Sequence, residues 1–392
     1  MTQTLSDNTI LIVTISLIIM FSPFIAKSVK LPTTPIEIIL GSLLGYVGFL
    51  HDEHLFNLVA ELGFLYLMFI AGTEINLKNF LKTPLQIIKK VALYLLLLYL
   101  FSIAFAMQSH LGKIFIVLLP LVSVGLVASL AKEYGKVEWI KLSMTSGSIG
   151  EVVSIVILTI TSAALESGVG LGLFQTIMAL IAFIIFMFVL FHSMQLLFWW
   201  FPKISTLLMP HQDNQEQDIR LSMGLFFLLV GAMLYLHLEL AFGAFLAGMF
   251  IPTFFEHKHE LPEKLASFGF GFLIPIFFIH IGSSFNLNAL FIPGLIQEAI
   301  IITLVMIFMR VFAAFVFVKD LGVIDTILLG LSHAMPLTLL IAMATLAYHA
   351  KSIDQFHYDA FILASLFQVI SVMITIKLIN LYKTKKELQA QS

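Results

Sequence analysis

The chain contains no cysteine, so neither a disulfide framework nor a thiolate metal site is open to it. Charge is scarce as well. Only 11% of the 392 residues are Asp, Glu, Lys or Arg, against 60% hydrophobic, and the mean hydropathy is +1.03. No soluble domain of this length needs so much apolar surface. No phosphate-binding glycine loop and no Cys/His cluster occurs, which removes ATP-driven pumping and zinc chemistry. The 38 Phe and 17 Met are packing and lipid-facing residues, with no cofactor implied. The net charge of −2 points to no partner, and no nucleic acid is expected. The stretch MTQTLSDNTI at the start lacks a basic region and a small-residue cleavage pattern, so the first apolar run is expected to stay as a membrane helix.

What the chain does have is a succession of apolar runs of roughly 18 to 25 residues, the length that crosses a hydrocarbon core about 30 Å thick. Thirteen segments are read, at roughly 9–26, 34–50, 55–75, 88–108, 113–131, 139–163, 171–200, 220–237, 239–254, 265–284, 293–318, 323–348 and 357–382. The fold class is therefore an all-α polytopic membrane protein in one membrane domain, 1–392. The longest polar connection, PHQDNQEQDIR at Pro210 to Arg220, reads as a linker between a first half, 1–209, and a second half, 220–382. The stretch 383–392 reads as a short cytoplasmic tail, too short for a regulatory domain.

Lys and Arg test this segmentation, because loops that stay in the cytoplasm carry an excess of them. With the amino terminus outside and the carboxyl terminus inside, seventeen fall on the cytoplasmic side and only Lys113 and Lys351 outside. One missed or extra helix would invert every later loop. Arg310 and Lys377 remain, inside segments.

An ionisable side chain at mid-membrane is costly and marks a functional site or a partner. Glu151 sits about twelve residues into the sixth segment, some 18 Å from either end at 1.5 Å per residue. Ser146, Gly147, Ser148 and Gly150 precede it, a small-residue face that lets another backbone approach or leaves room for an ion. Arg310, in VMIFMRVFAAF, either snorkels to the cytoplasmic interface or faces the interior as counter-charge to Glu151.

Two segments carry helix breakers near mid-membrane: Pro120 and Gly125 in LLPLVSVGLVASLAKEYG, and Pro336 after Ser332, His333 and Ala334 in GLSHAMPLTLLIA. These are the fifth and twelfth segments, which cross in opposite directions. An inverted repeat of the segment triplets 4–5–6 and 11–12–13 requires just that. Crossed broken helices would gather two positive N-termini and two negative C-termini at mid-bilayer, where a carboxylate and a guanidinium can offset them.

Four further stretches carry a family likeness through most of the chain: LPTTPIEIILGSLLGYVG, LVAELGFLYLMFIAGTEINL, LELAFGAFLAGMFIP and FLIPIFFIHIGSSFNL. They resemble the P-x-x-x-x-E-I-x-x-G-x-x-x-G, F-x-A-G-x-E, G-A-F-x-A-G and P-I-F-F-x-x-x-G patterns of the monovalent cation:proton antiporters, the bacterial sodium/proton and Kef-type exchangers. The resemblance implies an ion site on the helix matching Leu142 to Ile160, in a residue pair ending in Asp. By register Glu151 takes the second position and Gly150 the first. Ser123-Val124 matches a Ser-Thr or Thr-Asp beside that site, and Arg310 matches a Lys or Arg. Ser332 and His333 have no clear equivalent.

What this leads to expect is exchange of a monovalent cation, Na⁺ or K⁺, for protons in the cell membrane. Glu151 would be the carrier and the one cation ligand with a charge, Arg310 the counter-charge, and Ser123, Gly125, Ser148, Gly150, Ser332, His333 and Pro336 would line the ion path and the breaks. A homodimer follows from the likeness, and one carboxylate suggests electroneutral exchange. Two alternatives stay open: a potassium efflux system, and an antiporter-fold protein that has lost exchange and serves as sensor or assembly subunit. Glu37, Glu61 and Glu74 read as caps or interface residues and His280 as a packed histidine.

Overall fold

The computed structural model describes residues 2–391 apart from 30–31, 77, 79–82, 110–111, 136, 168–169, 202, 204–215, 256–257, 259 and 286. Residues 210–215 of the linker and Lys30, Lys82 and Lys136 of the charge count thus lie outside the described residues. Among the described residues the secondary structure is helical, with no strand. Buried in hydrocarbon, a backbone must satisfy its own polar groups, and a helix does so within one segment.

In chain order the helices are α1 Thr2–Val29, α2 Thr33–Tyr46, α3 His54–Thr73, α4 Leu85–Gln108, α5 Phe115–Leu118, α6 Gly125–Tyr134, α7 Glu138–Ser167 and α8 Leu171–Trp200. They continue with α9 Gln217–Tyr235, α10 Leu240–Phe254, α11 Leu261–Phe268, α12 Ile274–Ser284, α13 Leu295–Ala314, α14 Val318–Ser332, α15 Leu337–His349 and α16 Gln355–Gln391. Each of the thirteen expected segments falls on one of these helices or on a consecutive pair. Nine spans are long and apolar enough to cross a membrane among the described residues, with α10 and most of α15 as shorter apolar helices. Local chemistry sets several starts. Glu53 Oε2 accepts from the N–H groups of Leu55 and Phe56 at 2.8 and 3.2 Å, capping α3, and Pro84 precedes α4.

The chain forms two compact units, one from Met1–Lys82 with Thr159–Leu287, the other from Thr83–Leu158 with Asn288–Ser392. In the first, α2 packs on α12 and α3 on α10. Both crossings run through glycine. A Cβ on Gly41 would meet the Ile279 carbonyl and one on Gly282 the Ile38 carbonyl; Gly72 and Gly248 stand in the same relation to Phe245 and Phe69. Backbones this close leave no space for a methyl group. The four family-like motifs thus meet two by two at these crossings.

In the second unit α13 packs on α16, α14 and α4, and two helices are interrupted. Between α5 and α6 the chain unwinds over 119–124, and between α14 and α15 over 333–336. Across the gaps α5 packs on α15 and α6 on α14. Pro120 has no N–H to give the Ile116 carbonyl, and the Ser102 hydroxyl on α4 donates to that oxygen instead at 3.1 Å. Lys90 on α4 pairs with Asp320 on α14 at 2.6 Å, and Lys383 on α16 with Asp325 on α14 at 2.7 Å.

Candidate functional site

The first unwound segment, 119–124, organises the site, because its ends leave helix C=O and N–H groups without partners inside the membrane. Glu151 on α7 serves the N-terminal end of α6. Its Oε1 accepts from Ser123 Oγ at 2.9 Å and its Oε2 from the Val124 N–H at 3.2 Å, and the side chain is fully buried. A carboxylate suits that end, where the helix dipole is positive.

Arg310 on α13 serves the opposite end. Its Nη2 donates to the carbonyls of Leu119, at 2.8 Å, and Leu121, while Nη1 donates to Met306 on its own helix at 2.9 Å. The guanidinium is fully buried and does not snorkel. Its bonded partners are carbonyls rather than Glu151, so the two charges bracket one unwound segment from its two ends. Between them, Val122 N–H donates to Ser154 Oγ at 3.0 Å.

Gly150 precedes Glu151 and is packed shut. A Cβ there would lie 3.0 Å from both Cβ and Cγ1 of Val122, a fully buried residue. Gly125 opens α6, Ser148 is half-buried outside the bonded set around Glu151, and Pro336 is buried at the start of α15.

At the second break, His333 bridges two helices. Its Nε2 lies 2.9 Å from the Ser143 carbonyl on α7 and its Nδ1 3.0 Å from Tyr94 Oη on α4. A carbonyl can only accept, so Nε2 carries the hydrogen and Nδ1 accepts from the phenol, a complete pairing for neutral imidazole. Ser332 Oγ donates to Ser143 Oγ at 3.1 Å. A Cβ on Gly147 would sit 3.2 Å from His333 Nε2, which brings this bridge within about one turn of Glu151 along α7.

Ser143, Ser154, Val122 and Tyr94 are site residues the sequence reading passed over. A signal existed for the serines: Ser143, Gly147, Gly150, Glu151 and Ser154 follow i, i+4, i+7, i+8, i+11, one face of a helix. Tyr94 had none. Elsewhere, Glu37 is buried and accepts from Ser22 Oγ at 3.2 Å, whereas Glu61, Glu74 and Lys377 are exposed. His280 is half-buried, with Nε2 2.8 Å from Asn57 Oδ1 and its ring edge-on to Phe56.

A carboxylate and a guanidinium at the two ends of an unwound membrane segment invite comparison with known transporters. The transmembrane sodium/hydrogen exchanger family matches residues 12–379, nearly the whole chain. The chain belongs to the sodium/hydrogen exchanger family. Its relatives include the putative Na⁺/H⁺ antiporter YjbQ of Bacillus subtilis, 24% identical over 96% of this chain, of whose length the alignment covers 63%. The ammonium/H⁺ antiporter subunit AmhT of Alkalihalophilus pseudofirmus is 25% identical over 70% of this chain and 70% of its own length. The probable Na⁺/H⁺ antiporter 3 of Methanocaldococcus jannaschii is 24% identical over 78% of this chain and 79% of its own. The fold is that of the M. jannaschii sodium proton antiporter MjNhaP1, with a TM-score of 0.64 at 15% identity over 95% of this chain and 97% of that one. For an exchanger-family chain this establishes a multi-pass membrane protein with two interrupted helices.

Proposed function

We propose that this chain exchanges a monovalent cation for protons by alternating access, with Glu151 as the group that takes either one. The observation that carries the reading is the setting of Glu151: a fully buried carboxylate at a helix break, held among the described residues by the Ser123 hydroxyl and the Val124 N–H. Both partners are neutral donors. A proton on the carboxylate removes the charge, and a cation beside it balances the charge. The hydroxyl adapts to either state, since it donates to a bare carboxylate and presents a lone pair to a bound cation after rotation. Arg310 stays charged throughout and holds the segment's carbonyls, so the site's titrating charge is Glu151 alone. Access would alternate by a rigid movement of the core carrying segments 4–6 and 11–13 against the remaining helices. The names of the relatives support cation:proton exchange, the distribution of Lys and Arg supports an external amino terminus and a cytoplasmic carboxyl terminus, and the family likeness supports a homodimer.

A second reading has its own support. Gly150 and Val124 offer no side-chain oxygens, and AmhT is named as a subunit, so the chain would then be a sensor or assembly subunit that binds a cation without exchanging it. Reconstitution in proteoliposomes with a quenched ΔpH dye separates the two. Added cation should dequench the dye with the wild type, Glu151→Gln should abolish this while the protein still folds, and Glu151→Asp should keep part of it. Exchange that survives Glu151→Gln would remove the residue from the mechanism.

A further inference from the structure

Three buried polar atoms around α13 have no hydrogen-bond partner among the described residues: Arg310 Nε, Gln368 Oε1 and Tyr99 Oη. Arg310 and Gln368 are fully buried, and the Tyr99 hydroxyl is buried although the residue as a whole is half-buried. One stretch of α13 gathers them. Met306 and Arg310 lie one turn apart on one face of that helix, and α16 and α4 both pack on it. Gln368 on α16 donates through Nε2 to the Met306 sulfur at 2.8 Å, Arg310 donates to the Met306 carbonyl, and Tyr99 on α4 stands within reach of the Arg310 charge. A thioether only accepts, so the amide nitrogen faces Met306 and Oε1 is turned away from it.

The inverted repeat gives Gln368 a further meaning. There α16 corresponds to α7, and Gln368 stands as far from Gln355, the first residue of α16, as Glu151 stands from Glu138, the first of α7. One half thus carries an acid at this depth and the other an amide of the same length. What can sit among the three atoms follows from their hydrogen-bonding roles. Arg310 Nε only donates and Gln368 Oε1 only accepts. A cation is repelled by the guanidinium and offers Nε nothing, and an anion offers Oε1 nothing. Water meets both, accepting from Nε–H and donating to Oε1, and the Tyr99 hydroxyl completes the three bonds a buried water commonly makes. We propose that Arg310 Nε, Gln368 Oε1 and Tyr99 Oη form a water-binding site inside the second unit, the uncharged counterpart of the carboxylate site at Glu151. It stands whether or not the chain exchanges cations. Gln368 is then a positioning residue: through the water it fixes the guanidinium that holds the Leu119 and Leu121 carbonyls.

The test is hydroxyl-radical footprinting by X-ray radiolysis of the full chain in detergent, because radicals formed from a bound water oxidise the side chains beside it. Met306 reports on the site, and Met233 on α9, equally buried, is the reference. Wild-type Met306 should be oxidised several-fold faster than Met233. Gln368→Leu removes the acceptor and should bring Met306 down to the Met233 rate. Gln368→Glu keeps an acceptor oxygen and should restore the faster rate. A wild-type Met306 as inert as Met233 overturns the proposal, and that comparison needs no variant to fold. Labelling that Gln368→Leu leaves unchanged also overturns it. So does a melting temperature that rises to saturation with added chloride at constant ionic strength, which would put an anion on the guanidinium instead.

Discussion

Arg310 owes its place to three carbonyls. Its Nη atoms reach Leu119, Leu121 and Met306, and no single lysine ammonium can span the same acceptors from a fully buried position. Removing the guanidinium leaves buried acceptors unpaired, at about 1–3 kcal/mol each. Arg310→Ala should therefore lower the detergent melting temperature markedly and Arg310→Lys should recover only part of it; an unchanged melting curve for Arg310→Ala would show that those carbonyls have other partners. His333 yields a parallel argument. Tyr94→Phe and His333→Ala both break the bond to Nδ1, so the pair should cost less together than the sum of the single changes, measured as a double-mutant cycle. Strict additivity would mean that the bridge contributes nothing.

Close crossings, rather than long apolar faces alone, hold the first unit's helices. Gly248→Ala pushes a methyl group into the Phe69 carbonyl, and α3 and α10 must separate to admit it. The yield of folded protein by fluorescence-detected size exclusion should fall. Gly231, on α9 of the same unit, has open space around it, and Gly231→Ala should be tolerated or stabilise by up to about 1 kcal/mol. Equal tolerance at both positions would mean that the crossing is not tight. Outside the membrane, Asp354 caps α16, its Oδ1 accepting from the His357 N–H at 2.9 Å and lying 2.6 Å from His357 Nδ1. Partial burial pushes the Asp354 carboxyl up, but the bonds from His357 more than offset this and hold it below the usual carboxylate range. A carboxyl lowered on folding stabilises above its unfolded pKa, and that contribution disappears as the pH falls through the folded value. The start of α16 should accordingly lose amide-exchange protection on acidification, and Asp354→Asn should flatten that dependence.

For the whole molecule the question is how much charge one cycle moves. Glu151 supplies one titrating carboxylate, Gly150 supplies none, and Arg310 stays protonated. His333 uses both ring nitrogens while neutral, accepting from Tyr94 and donating to Ser143, and a second proton would place a charge on a fully buried ring and reverse the Tyr94 bond. One proton for one monovalent cation is the expected stoichiometry. A potential imposed across proteoliposomes by a gradient of a permeant anion, with the cation and proton gradients held fixed, should leave the end point of exchange unmoved. Each net charge carried across 100 mV is worth about 2.3 kcal/mol, so even one would show. An end point that follows the voltage would contradict the count and make His333 the next residue to change.

Much of this protein was legible in its sequence. Hydrophobic length and the bias of Lys and Arg gave the thirteen segments, because both depend on how each stretch meets lipid and water, independently of its neighbours. Pro120 and Pro336 marked the breaks because proline acts on its own backbone. Glu151 stood out because a carboxylate in an apolar run is costly wherever the helix goes. What only the tertiary structure decided is which group meets which. Arg310 bonds carbonyls 189 and 191 residues away rather than remaining an open choice between interface and interior. His333 is spent on Tyr94 and Ser143, and Val122 takes the space beside Gly150. The glycines of four separate motifs turned out to be two crossings. Each of these joins residues far apart in the chain, and a donor, an acceptor or a void becomes satisfied or filled only when packing brings its partner within contact distance.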